Sequence, residues 1–127
     1  MKPKNQTLTG LELEIMKIVW DLKKATVRDV FERLAERRKI AYTTVMTMLK
    51  ILEQKGFVDK SEKERAYLYR PTKPERKVMR AMVREFVDRV FNGSAEPLLV
   101  HLVEDKRLSE KELAEILDTV RRPPREE

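Results

Sequence analysis

Apolar residues recur along this chain at helical spacing in six stretches and alternate in one. In the first stretch Leu11, Ile15, Ile18, Val19 and Leu22 share a face. Thr9-Gly10-Leu11-Glu12 ahead of them has the form of a capping box, so a helix is predicted over about 10–22, with Trp20 packing near its end. A second stripe, Val27, Val30, Phe31 and Leu34, opens at Thr26-Val27-Arg28-Asp29 and runs into a basic turn at 36–39. The third stretch lies in "AYTTVMTMLKILEQKGFVDK", residues 41–60. It predicts a helix over about 43–55 with Val45, Met48, Leu49 and Leu52 inward, and Gly56 suits the left-handed position that ends it. The period then changes. Phe57-Val58 reads as a short strand, 59–65 as a charged connection and 66–71 as a second strand with Tyr67 and Tyr69 on one side. Helix, helix, helix, hairpin is the order of a winged helix-turn-helix.

The remainder is helical throughout. Thr72-Lys73-Pro74-Glu75 again has capping-box form, before a helix over about 74–91 striped by Met79, Met82, Val83, Phe86 and Val90. "FNGS", 91–94, is expected to break it, with Gly93 as C-cap and Ser94 as the next N-cap. Residues 95–104 form a short, very apolar helix. Ser109-Glu110-Lys111-Glu112 opens a last one, about 110–121, carrying Leu113, Ile116, Leu117 and Val120. Three helices over about fifty residues are too few to build a core unaided and too apolar to stand in water. A second copy of the chain is the simplest cover, with Met79, Met82, Phe86, Leu98, Leu99, Leu102, Leu113 and Leu117 as interface candidates. The expected class is therefore mainly α with a small β-hairpin: a winged helix-turn-helix over 1–72 and a three-helix dimerisation domain over 73–127.

The polar side of the third helix carries Thr43, Thr47, Lys50 and Gln54, where a merely solvated helix in so charged a chain would carry Glu and Lys. In a helix-turn-helix that helix enters the major groove, and short hydroxyl side chains let its backbone approach base edges. Thr43, Thr47 and Lys50 are the candidates nearest the bases, and Met46 flanks them within reach of a thymine methyl. Tyr42 stands at the helix entrance, where a phenol can meet a phosphate. One of Thr43 and Thr44 is expected to cap the helix, and Thr44 is otherwise a DNA contact. Arg38 and Lys39, beside Arg37, are expected phosphate contacts, with Lys60 and Arg65 joining them from the wing.

Charge supports this division. The net +6 resides wholly in residues 1–72, with 16 Lys and Arg against 10 Asp and Glu, while 73–127 balances at 12 and 12. A basic part joined to a neutral one suggests one module for a polyanion and another for a different task. Chemistry is poorly represented. No cysteine, no glycine-rich phosphate loop and no His cluster points to catalysis, a metal or a cofactor. His101, inside an apolar segment, reads as a buried or interface residue. No apolar run is long enough for a membrane span or for a signal-peptide core, which fits a cytoplasmic protein.

Taken together, "LELEIMKIVW" (11–20), "YTTVMTMLKILEQKGFV" (42–58), "ERAYLYRP" (64–71), "FNGS" (91–94) and "LSEKEL" (108–113) resemble the BlaI/MecI penicillinase-repressor family of bacterial winged-helix regulators over roughly residues 8–121. The resemblance implies a repressor that binds operator DNA as a dimer, its C-terminal helices forming the dimer contact. It also implies induction through a regulatory protease that cuts in the C-terminal domain. In the best-known members that cut falls between Asn and Phe; the aligned pair here is His101-Leu102, a departure that leaves the inducing signal open. Relatives that sense copper through C-terminal cysteines have no counterpart in a chain without cysteine.

The reading is a homodimeric, sequence-specific repressor of double-stranded operator DNA, not an enzyme. The rival is a winged-helix protein-interaction module that never reads bases.

Overall fold

The computed structural model describes residues 7–63 and 66–121. Within them run α1 (Gly10–Leu22), α2 (Val27–Ala35), α3 (Tyr42–Gln54), β1 (Val58–Lys63), β2 (Ala66–Pro71), α4 (Glu75–Phe91), α5 (Glu96–Glu104) and α6 (Glu110–Arg121). The chain divides into two compact units, residues 1–82 and 83–127.

The first unit is built on the stripes of its three opening helices. Ile15, Met16 and Val19 of α1, Val30 and Leu34 of α2, and Val45, Leu49 and Leu52 of α3 close into one core with Val58, Tyr69 and Val78. Each large side chain taken from water contributes about 1.5–3 kcal/mol. Reciprocal Thr9–Glu12 and Thr26–Asp29 hydrogen bonds start α1 and α2 as capping boxes. At the other end of α3 the Phe57 N–H donates to Leu52 O at 2.9 Å and the Gly56 N–H to Glu53 O at 3.0 Å. That is a Schellman turn, and it sets Gly56 at φ +85°.

The hairpin is longer than its sequence suggests. β1 and β2 pair antiparallel from Val58↔Pro71 to Lys63↔Ala66, so most of the expected charged connection is strand. Beyond Val58 the described β1 side chains are exposed, and a strand solvated on both faces shows no apolar alternation. Residues 64–65 lie outside the described residues. A third segment joins at the base of the hairpin. The Ala25 N–H donates to Tyr69 O at 2.9 Å, and the Tyr69 N–H donates back to Ala25 O at 2.8 Å. One bridging residue leaves no periodicity to read.

Two expected caps are absent. The Thr72 hydroxyl donates to Gly56 O at 2.6 Å, closing the hairpin exit onto the end of α3 rather than capping α4. The first intrahelical bonds of α4 run from the Lys77 and Val78 N–H groups to Pro74 O, at 3.1 and 3.2 Å. Ser94 does not cap α5, whose N-cap is Ala95 without a side-chain bond. In the second unit Asn92 and Gly93 follow α4 at φ 54° and 86°. The Ser109–Glu112 capping box forms as expected and opens α6.

A partly buried ion pair joins α1 to the C-cap of α3. Lys55 Nζ donates to Glu12 Oε1 at 2.8 Å and Oε2 at 3.0 Å, and reaches Thr7 O at 3.4 Å. Glu12 is only 3% exposed and also accepts the Thr9 N–H at 2.8 Å. Burial alone would raise its pKa, but the Lys55 ammonium and the Thr9 hydrogen bonds outweigh that and hold it below the ordinary 4.5. A depressed carboxyl contributes stability that is fully present above the unfolded-state value and is lost as pH falls through the lower folded-state value.

Lys55→Met strands the buried Glu12 charge. It is expected to cost about 3–5 kcal/mol in urea unfolding at neutral pH. The deficit should narrow in acid, because a protonated Glu12 no longer needs its partner; a deficit independent of pH would disprove the coupling. Gly56→Ala meets open space but must hold a positive φ, so it should lose about 1–2 kcal/mol in the same assay.

Candidate nucleic-acid interface

α3 turns the expected face outward. Val45, Leu49 and Leu52 are buried, while Tyr42, Thr43, Thr44, Met46, Thr47, Lys50 and Gln54 are exposed. The exposed set carries no acid. The N-cap is Ala41, whose side chain makes no cap bond, so neither Thr43 nor Thr44 caps the helix. Both hydroxyls stand free of the capping role the sequence suggested for one of them. Tyr42 is fixed by an edge-on contact with Phe31 of α2, ring centroids 5.5 Å apart at 67°.

The flanking cations are of two kinds. Arg38 is engaged: its Nη1 lies 2.7 Å from Glu14 of α1, so it is not the uncompensated cation its sequence run implied. Arg37 and Lys39 are exposed and make no ion pair among the described residues. Lys60 lies within β1, not in a loop at the wing tip. Its ammonium is 3.8 Å from Glu53 of α3 and 4.3 Å from the Tyr67 ring centroid. Arg65 lies outside the described residues.

Between α2, α3 and β2 runs an open groove of about 460 Å³ lined by Thr26, Val27, Arg28, Tyr42, Met46, Ala66 and Tyr67. Arg28 and Tyr67 carried no distinguishing signal in sequence. Tyr67 and Tyr69 do share a strand face, yet Tyr69 is 5% exposed and Tyr67 49%. The hairpin outruns the helical core between these two positions. Burial raises the Tyr69 phenol pKa, against an opposing pull from Lys60.

The profile of the penicillinase repressor family matches residues 8–122. The chain belongs to that family. It is 26% identical over 116 residues to the methicillin resistance regulatory protein MecI of Mammaliicoccus sciuri, covering 91% of this chain and 94% of that one. It is 37% identical over 99 residues to the transcriptional regulator BlaI of Mycobacterium tuberculosis, covering 76% and 72%. The penicillinase repressor of Bacillus licheniformis is 26% identical over 109 residues, covering 86% and 85%. Among solved structures, the DNA-binding domain of the repressor BlaI superposes with a TM-score of 0.51 at 27% identity, covering 59% of this chain and 88% of that one. The mainly helical, winged-helix architecture expected from the residue pattern is thus the architecture of this penicillinase-repressor family member.

The remaining candidates lie on α4, α5 and α6. In the first unit Met79 is half-buried, and Met82 packs against the core beside Val78. In the second unit Leu98, Leu102 and Leu113 are half-buried, whereas Phe86, Leu99 and Leu117 are exposed, with Val83, Val90, Val100, Ile116 and Val120. His101 is exposed on α5 with its ring 6.0 Å from that of Phe91, so the single chain does not bury it as one expectation held. Among the described residues no group of His, Cys, Asp and Glu is placed to hold a metal, and no helix is long and apolar enough to cross a membrane.

Proposed function

We propose that this penicillinase-repressor family member is a sequence-specific transcriptional repressor that binds duplex operator DNA as a homodimer, with α3 in the major groove. The observation that carries the reading is the exposed, acid-free face of α3. Thr43 and Thr47 offer hydroxyls that donate or accept at base edges, Lys50 a cation suited to guanine, and Met46 an apolar surface suited to a thymine methyl. Thr44 lies beside them. Tyr42 and Lys39 serve the phosphates, with Arg65 of the wing, whereas Arg38 and Lys60 already have carboxylate partners. Two-fold symmetry requires an inverted repeat with half-sites about 34–36 Å, or a multiple, apart.

The dimer contact belongs to the C-terminal helices. Phe86, Leu99 and Leu117 are exposed in the single chain, and Val120 is 73% exposed. So much apolar surface on so small a unit asks for a cover. Loss of that contact would release the operator. A regulatory protease acting in α5, at the exposed His101 and the neighbouring Leu102, is a route consistent with the family resemblance.

The direct test is selection of genomic fragments by the purified protein at near-physiological salt. An enriched inverted repeat is the expected result. No enrichment by a folded protein would favour the protein-interaction reading. On the enriched site Thr47→Ala should relax preference at its base by about 1 kcal/mol, the worth of one neutral hydrogen bond. Lys39→Ala should weaken all sequences alike and flatten the log–log salt slope by about 0.9. Base preference that survives Thr47→Ala intact removes that residue from base reading. In sedimentation the wild-type protein should run as a dimer and Leu117→Glu as a folded monomer; a wild-type monomer without DNA rules out the assigned interface.

A further inference from the structure

The groove beside α3 shares Tyr42 and Met46 with the proposed base-facing helix and adds residues to which that reading gives no role. Its walls are apolar and aromatic, from Val27, Tyr42, Met46 and Tyr67, and among the described residues no carboxylate lines it. Arg28 is its one cation among the described residues. Among the described residues the guanidinium has a single partner, Glu32 at 3.8 Å, with the two side chains 71% and 63% exposed. A pair that long and that solvated holds almost nothing against a competing anion.

The Tyr67 ring opposite is 49% exposed but not loose. The Lys60 ammonium backs it at 4.3 Å from the centroid and is itself drawn toward Glu53 of α3 at 3.8 Å. The chain from Glu53 through Lys60 to Tyr67 therefore ties the wing's aromatic to the helix that faces the bases. Tyr42 and Met46 belong at once to the groove and to the exposed face of α3, so the two surfaces are continuous.

We propose that this groove seats the sugar–phosphate backbone of the duplex whose bases α3 faces. Arg28 holds one phosphate, Tyr67 packs against the adjoining deoxyribose, and Lys60 is a positioning residue for the Tyr67 ring. The inference rests on the DNA-binding reading and extends it to residues that reading does not name. The occupant is backbone rather than a base edge because apolar walls offer no donor–acceptor pattern to tell bases apart. A single guanidinium beside apolar surface matches the unit every nucleotide repeats: one anionic phosphate and one largely apolar sugar. The absence of carboxylate among the described lining residues agrees with an anionic occupant, and continuity with α3 selects the same nucleic acid.

The test uses the full-length protein, the selected operator duplex and an unrelated duplex, with salt titration and phosphate-ethylation interference. Arg28→Gln should weaken both duplexes about tenfold, the loss of one charge-assisted hydrogen bond. It should lower the salt slope by about 0.9 and abolish interference at one phosphate per half-site. Tyr67→Ala should weaken both duplexes with an unchanged slope, and Tyr67→Phe, which keeps the ring, should stay near wild type. Arg28 is solvent-exposed, so an unchanged melting temperature is expected and checks that the fold is intact. An Arg28→Gln protein with the wild-type slope and interference pattern overturns the proposal while leaving DNA binding in place. So does a variant that loses base preference rather than uniform affinity. A wild-type protein that binds neither duplex overturns both readings.

Discussion

The bidentate pair between Glu12 and Lys55 is the contact on which the winged-helix unit turns. Glu12 belongs to the capping box that starts α1, and Lys55 is the C-cap of α3, immediately before the Schellman glycine. One ion pair therefore joins the beginning of the first helix to the end of the helix that faces outward. Such a pair is not a large net source of stability, because desolvating both charges offsets most of their attraction. Its importance is geometric. A carboxylate 3% exposed accepts no arrangement but the one that places Lys55 and the Thr9 amide beside it. That requirement sets the axial position of α3 against α1.

The hairpin hangs from the same point. Gly56 turns the chain out of α3, Phe57 and Val58 enter the core, and the Thr72 hydroxyl returns to Gly56 O. The double bond between Ala25 and Tyr69 ties the hairpin to the turn between α1 and α2. Lys60 then reaches from β1 to Glu53. The C-terminal end of α3 is consequently tied to the hairpin, while its own Thr43, Thr47 and Lys50 remain exposed. In the proposed repressor this is the division that reading DNA requires: the groups that touch bases move little because other groups absorb the cost of holding them.

The C-terminal unit obeys a different constraint. α5 and α6 have no buried residue, although Leu, Val and Ile dominate their inner stripes. Ser109 and Glu112 cap α6 well, so local signals make these helices without giving them a core of their own. Their energetics belong to whatever covers them, which is why the dimer is part of the proposed function rather than an addition to it.

Much of this was legible in the residues because it is local. Helical stripes, the Thr9 and Ser109 boxes, the helix start at Thr26 and the Gly56 turn depend on neighbours within four or five positions, and each formed where the pattern put it. So did the outward placement of Thr43, Thr47 and Lys50, which follows from the helical period once Val45 and Leu49 are known to be inside. What only the tertiary structure decided depends on partners distant in sequence. Thr72 has the sequence of a cap but bonds Gly56, because the hairpin brings them together. Arg38 belongs to a basic run but is neutralised by Glu14, and Lys60 is held by Glu53 and Tyr67. Strand β1 extends through a charged segment because pairing with β2 satisfies its backbone, whatever its side chains. The Arg28–Tyr67 groove exists only where three elements meet. Periodicity records which face of an element is buried; which polar groups then meet is decided by the fold.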